Sequence, residues 1–314
     1  MPNDGAQGQH EDELTGPETD VAADVAPGGD APQLGLRIGC ADLPPGLRRV
    51  RYFQRLQYLE LEGLMYRIPK AKVLRRWPDE TGPRGRFGLV ASQVITHKPG
   101  RGGYRRGGDG LDASALAQAG WFRDTEVVHR AVAEFAHAAS LVPTDVVIFR
   151  SPPDFSPSAG NRDRLRAFFA ESAPAEAFPG MVRVWEPHGL WEPQVAAKLA
   201  GEMGVIYGCD PTANDPLGVG PEFFAALPHT DAYFRLTGLG RARQRYDEYA
   251  LDELLGIVEG YERAWLVFAH PDRYPDAIRL HRLLSPADAN SSEDPDEFDS
   301  PDDDPDGQDE SESL

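Results

Sequence analysis

The chain of 314 residues has only two cysteines, Cys40 and Cys209, far apart and outside any Cys-x-x-Cys pair. That argues against a disulfide framework or a thiolate metal site, and suits free thiols in a cytoplasmic protein. No window approaches the roughly 20 apolar residues of a membrane helix. The opening MPNDGAQG lacks the basic patch and apolar stretch of a signal peptide. Basic residues are missing from both ends. Residues 1–33 carry eight acidic residues and residues 285–314 carry thirteen, with no Lys or Arg in either. The formal charge of −19 therefore belongs to the ends. Between them 30 acidic residues face all 32 basic ones, so the central net charge is +2 and the overall acidity says little about what the centre binds.

Both ends are rich in Asp, Glu, Pro, Gly and Ser and poor in large apolar residues. Such segments bury too little surface to offset chain entropy. The expected organisation is a disordered acidic tail at 1–33, one domain at 34–284, and a second disordered acidic tail at 285–314. Solubilising tails are the plain reading; an acidic arm competing with an anionic ligand for a basic groove is the sharper one.

What is present is a recurring unit: apolar strand, polar tip, short loop, helix. Met181 to Pro193 (MVRVWEPHGLWEP) displays it fully. Val182, Val184 and Trp185 end in Glu186, His188 and Trp191 follow, and Pro193 suits a first helical position, where its missing N–H costs nothing. Further strands are predicted at LGLRIGC (34–40), YLELE (58–62), RFGLVA (86–91), DVVIFR (145–150), GVIYGC (204–209), DAYFRL (231–236) and AWLVF (264–268). Short apolar helices fall between them. Val50, Phe53 and Leu56 suit one helix face, Asp124 suits the cap of the helix carrying Val127 to Ala139, and Leu165, Phe168 and Phe169 mark another. Eight such units in about 250 residues predict a parallel sheet closed as a (β/α)8 TIM barrel, an α/β fold. A doubly wound open sheet is the alternative, but Gly39-Cys40-Ala41-Asp42 is no dinucleotide fingerprint. In a barrel, the leucines of YLELE meet the helices, and Glu60 and Glu62 point inward near the mouth.

The strand tips resemble the YecE-like family, or domain of unknown function 72. The resemblance covers about residues 36 to 284 and rests on YLELEGLMYRIP (58–69), VASQVITHK (90–98), DVVIFRSPPDF (145–155), VWEPHGLW (184–191), GVIYGCDP (204–211) and DAYFRLTG (231–238). It implies a TIM barrel without a settled activity and maps the family pattern onto Glu60, Tyr66, Thr96, His97, Glu186, His188, Trp191, Asp210 and Arg235. The chain departs from that pattern at Val90 (usually Lys), Glu62 (Asn), Pro187 (Arg), Thr237 (His) and Ala269-His270 (an Asn pair).

In this fold the C-terminal strand ends build the active site. Glu60, Glu186, His188 and Asp210 are the catalytic candidates. Tyr66, His97, Arg150, Trp191, Arg235 and Arg241 are the candidates for holding substrate. Two carboxylates in one poorly solvated site are driven to different pKa values, as acid and base, which makes Glu60 with Glu186 one option. The plainer option is that these acids pair with cations, for instance Arg235 with Glu186. A divalent ion on His97, His188, His270, Glu186 and Asp210 is a further option; no His-x-x-x-His spacing supports it, and no metal site or cofactor is assigned. Anion binding is suggested by Thr237-Gly238-Leu239-Gly240-Arg241-Ala242-Arg243, with the loop carrying Arg101, Arg105 and Arg106 on the same face. The leading expectation is a small polar or phosphorylated, sugar-like ligand at the mouth. The alternatives are a nucleic-acid-binding or nuclease-like barrel, for which Arg101-Gly102-Gly103-Tyr104-Arg105-Arg106 is the feature, and a non-catalytic scaffold.

Overall fold

The computed structural model describes residues 35–100, 103–108, 110–213, 219–238 and 245–284. The strands are β1 (Gly35–Ala41), β2 (Tyr58–Leu61), β3 (Arg86–Val90), β4 (Thr144–Arg150), β5 (Val182–Glu186), β6 (Ile206–Cys209), β7 (Asp231–Leu236) and β8 (Arg263–Phe268). They pair in parallel and in sequence order into a closed barrel. The fold is a (β/α)8 TIM barrel. The predicted tails and Arg241 lie outside the described residues, and among the described residues no helix is long and apolar enough to cross a membrane.

The alternation of the strands sorts residues between two cores, since successive side chains point to opposite faces. Leu59, Leu61, Val147, Phe149, Trp185, Phe234, Leu266 and Phe268 pack outward against the helices. Tyr58, Val146, Ile148, Val184, Ile206, Tyr233, Trp265 and Val267 fill the barrel interior. The inward rows of β2, β4, β5 and β7 continue to Glu60, Arg150, Glu186 and Arg235. The barrel is thus apolar below and charged at its C-terminal mouth. Gly88 makes room for this arrangement: a Cβ there would lie 1.7 Å from the Tyr58 hydroxyl.

The ladders differ in length. β7–β8 runs from Asp231–Arg263 to Leu236–Phe268, and β8–β1 from Gly35–Arg263 to Cys40–Phe268. β6 meets β5 only at Val184–Ile206 and Trp185–Tyr207, and meets β7 only at Gly208–Tyr233 and Cys209–Phe234.

Local details depart from the sequence reading. Tyr52, not Val50, is the buried anchor of the first helix (Arg49–Phe53), and Val50 is exposed. The Tyr52 hydroxyl accepts from the Cys40 N–H at 2.8 Å and donates to the Tyr58 carbonyl at 2.7 Å, tying β1 to β2. The helix Glu126–Ser140 is capped by Thr125, whose hydroxyl accepts from the Val128 N–H; Asp124 instead meets His129 on the surface. Its apolar stripe is as predicted, with Val128, Val132 and Phe135 buried. The helix Ala159–Ala167 ends in a wider turn, Phe168–Ser172, that turns Phe168 and Phe169 into the aromatic packing around Phe149.

Candidate functional site

Five charged side chains meet at the mouth. Arg150 donates from Nε to Glu186 at 2.7 Å, from Nη1 to Glu62 at 2.5 Å and from Nη2 to Glu60 at 3.4 Å. Arg235 donates from Nε to Glu60 at 3.0 Å and from Nη2 to Glu62 at 2.7 Å. The Tyr233 hydroxyl donates to the other oxygen of Glu60 in a short bond, and the Tyr58 hydroxyl lies beneath at 3.4 Å. The pairing expected between Arg235 and Glu186 is taken by Arg150 instead. The register explains this: Arg150 sits directly beside Glu186 across the β4–β5 ladder.

Burial alone would discharge these groups, and mutual attraction prevents it. Burial opposes the charge on Arg150, but Glu186, Glu60 and Glu62 outweigh it and hold the pKa well above the ordinary arginine value. Burial would raise Glu186, yet Arg150, His188 and Arg235 bring it well below the usual carboxylate range. Glu186 is therefore ionised at neutral pH. Its second oxygen lies 3.1 Å from His188 Nε2. Glu186 is almost fully buried, whereas the His188 side chain is 39% exposed. A buried carboxylate thus orients an imidazole that reaches the surface.

A cavity of about 610 Å³ opens beside this pair, over the short strand β6. Glu186, His188, Trp191, Asp210, Arg235 and Thr237 are among its lining residues. Trp191 is fixed as a wall: its Nε1 donates to the Phe155 carbonyl at 2.7 Å and its ring meets Trp185 edge-on at 4.8 Å. Gly208 gives the cavity depth, because a Cβ there would lie 2.7 Å from Val184 Cγ1 and 3.4 Å from Glu186 Cβ. Asp210 binds the loops together. One oxygen accepts from the Thr212 N–H and hydroxyl at 2.9 and 2.7 Å, the other from the Thr237 N–H and hydroxyl at 2.7 and 2.5 Å.

The family model described as "Protein of unknown function DUF72" matches residues 41–297. The chain belongs to the DUF72 family. Among solved structures, it is similar to the DUF72 protein EF0366 of Enterococcus faecalis V583, at 13% identity and a TM-score of 0.56, over 82% of this chain and 97% of that one. It is similar to the DUF72 protein TM1631 of Thermotoga maritima MSB8, at 14% identity and a TM-score of 0.53, over 79% and 98%. A xylose isomerase domain containing protein of Salmonella typhimurium LT2 shares the fold at 12% identity and a TM-score of 0.50, over 83% and 98%. No curated protein matches the chain.

Within this DUF72 barrel the predicted residues are spread over several places. Glu60, Arg150, Glu186, His188 and Arg235 form the mouth network, and Glu186, His188, Trp191, Asp210 and Arg235 reach the cavity. Tyr66 packs against the interior core and lines a separate cavity of about 590 Å³, with Arg106 stacked 4.7 Å from its ring centroid. His97 lies near the rim; its Nδ1 is 2.7 Å from the Thr96 hydroxyl. Burial, followed by the charges of His188 and Arg150, lowers its pKa to about 4, so it is neutral at pH 7. His270 is buried with Nε2 3.4 Å from Asp276, away from the network. Among the described residues no group of three or more His, Cys, Asp or Glu is arranged to hold a metal ion. Burial pushes the Cys40 thiol up to about 12 and Cys209 well above its usual value, which leaves both unreactive.

Sequence reasoning left Tyr233 out of the site and gave Glu62, though aimed at the mouth, no role there; both were reachable. Tyr233 stands two residues before Arg235 on one strand, and Glu62 two after Glu60; period two puts each pair on the same face. A third feature had no signal. Gly120, Trp121 and Phe122 all adopt left-handed φ, +75°, +59° and +52°. Their N–H groups are held by the carbonyls of Val94, Thr96 and Ile95 at 2.7, 3.2 and 2.9 Å. Left-handed aromatics are rare, so tertiary structure imposes them, at about 1–3 kcal/mol each. The turn lays the Trp121 ring beneath Lys98, whose Nζ is 3.1 Å from its centroid.

Proposed function

We propose that this barrel binds a small polar, sugar-like or phosphorylated molecule in the cavity at its mouth, and that His188 exchanges a proton with it. The observation carrying this reading is the Glu186–His188 pair at the cavity wall. Glu186 is buried and held ionised by Arg150, so it serves as the orienting anion rather than as an acid. His188 hydrogen-bonds to it and remains accessible, the arrangement of a base positioned by a carboxylate. The cavity volume falls within the roughly 300–1,000 Å³ of small-molecule pockets. The aromatic wall of Trp191 beside Arg235 and Thr237 suits a ligand with one apolar face and several hydroxyls.

On this reading the other acids act structurally. Glu60 is fully buried, accepts from Arg150, Arg235 and Tyr233, and is not among the residues that line the cavity. Asp210 is saturated by its own loops.

The test is a thermal-shift screen of neutral and phosphorylated monosaccharides, because a ligand that binds only the folded state raises Tm. At least one is expected to stabilise the wild type, and its proton-transfer turnover is expected to fall about 10²–10⁴-fold in His188→Ala. If no sugar raises Tm, or if His188→Ala turns the ligand over as the wild type does, the reading is wrong.

A further inference from the structure

Two guanidiniums converge on a single carboxylate oxygen at the mouth. Glu62 Oε1 lies 2.5 Å from Arg150 Nη1 and 2.7 Å from Arg235 Nη2. The three carboxylates of the network are not equivalent. The side chains of Glu60 and Glu186 are 0% and 7% exposed, and that of Glu62 is 30% exposed. Glu60 also accepts from Tyr233, and Glu186 also holds His188, so withdrawing either would strip a further side chain of its partner. The Glu62 carboxylate is hydrogen-bonded to the two arginines and borders solvent. Its backbone is held separately, with the N–H donating to Asp42 Oδ1 at 2.9 Å and the carbonyl accepting from Met65. The carboxylate is free to swing outward while the end of β2 stays in place.

We infer that Glu62 is a built-in occupant of an oxyanion site, and that the acidic group of the ligand, a carboxylate or a phosphate monoester, exchanges with it. This rests on the mouth being the ligand site. Charge is the first reason for exchange rather than addition. Glu60, Glu62 and Glu186 against Arg150 and Arg235 already leave a net −1, and an anion added beside Glu62 meets repulsion, whereas a carboxylate replacing it keeps the balance and a phosphate monoester adds at most about one further charge. Geometry is the second. Guanidinium N–H groups match both planar carboxylates and tetrahedral phosphates. Arg235 supplies one arm of the pincer and also lines the cavity. A ligand lying against Trp191 and His188 therefore meets the pincer with its acidic end.

Calorimetric titration of the full chain with inorganic phosphate, and with acetate at matched ionic strength, tests the exchange. In the wild type the tethered Glu62 competes at high effective concentration and binding is weak. Glu62→Ala is expected to bind at least one of the two anions about tenfold more tightly, as two freed charge-assisted donors allow. Glu62→Gln keeps the shape without the charge and is expected to fall between, which preserves the test if the alanine variant unfolds. Adding Arg235→Gln to either variant is expected to abolish the gain. A larger gain for phosphate assigns a phosphate ester, and a larger gain for acetate a carboxylate. The inference is overturned if neither Glu62 variant binds either anion better than the wild type, or if the gain survives Arg235→Gln. The monosaccharide screen on the wild type is read separately. A sugar that stabilises it without any gain in the Glu62 variants defeats only the exchange; a gain without any stabilising sugar defeats only the sugar reading.

Discussion

The two sides of this barrel are built to different standards. From β7 through β8 to β1 the ladders are long, and Trp265 and Val267 pack the interior beneath them. Around β6 each ladder is two residue pairs long, and the inward position nearest the mouth is Gly208. The cavity opens on that thin side. Apolar burial holds the first side, and loop hydrogen bonds to Asp210 hold the second. A closed sheet tolerates a strand with short ladders because its neighbours complete the ring, and the space released there forms the cavity.

The largest way to break the contrast is Arg150→Met. Arg150 ties β2 to β5 across the mouth, and its loss leaves three carboxylates facing one another with Arg235 alone. A cost of about 3–5 kcal/mol in urea unfolding is expected, because a broken buried ion pair leaves uncompensated charge. Next is Gly208→Ala, which puts a methyl group against Val184 on the thin side. About 1–3 kcal/mol is expected from overpacking, together with loss of the thermal shift from any cavity ligand.

At neutral pH the smallest effect is that of His97, which emerges only on acidification. The folded pKa of His97 is about 4 against an ordinary 6.5. Between those values the unfolded chain binds more protons, so stability is constant above about pH 6.5 and declines as pH falls toward 4. His97→Gln is expected to flatten the decline, measured as Tm against pH. Glu186 is depressed, so its contribution is fully present above the usual carboxylate range and is lost only as pH falls below it. The two windows are therefore separable in one titration.

Much of the fold was legible because parallel barrel strands are apolar on both faces and end in polar tips. The inward aim of Glu60 and Glu62 followed from the alternation of YLELE alone. Partner choice was not legible: that Arg150 rather than Arg235 takes Glu186 depends on strand register, which no local pattern encodes. The cap at Thr125 was misplaced by one residue, since Asp124 and Thr125 are both good caps and packing chose between them. The left-handed Trp121 and Phe122 contradict local preference, so only the surrounding carbonyls explain them. Arg241, a substrate-binding candidate, lies outside the described residues.

The β1–β8 seam also sets an order of events during synthesis. β1 is made first, yet its partner ladder, Arg263 to Phe268, is made more than two hundred residues later. Until then one edge of β1 carries unpaired backbone donors and acceptors, the kind of edge that templates wrong pairings. Pairings so distant in sequence make for slow closure. A nascent chain that stalls before Phe268 is thus an open sheet with two sticky edges. For this protein, exposure to aggregation is a matter of timing before it is one of final stability.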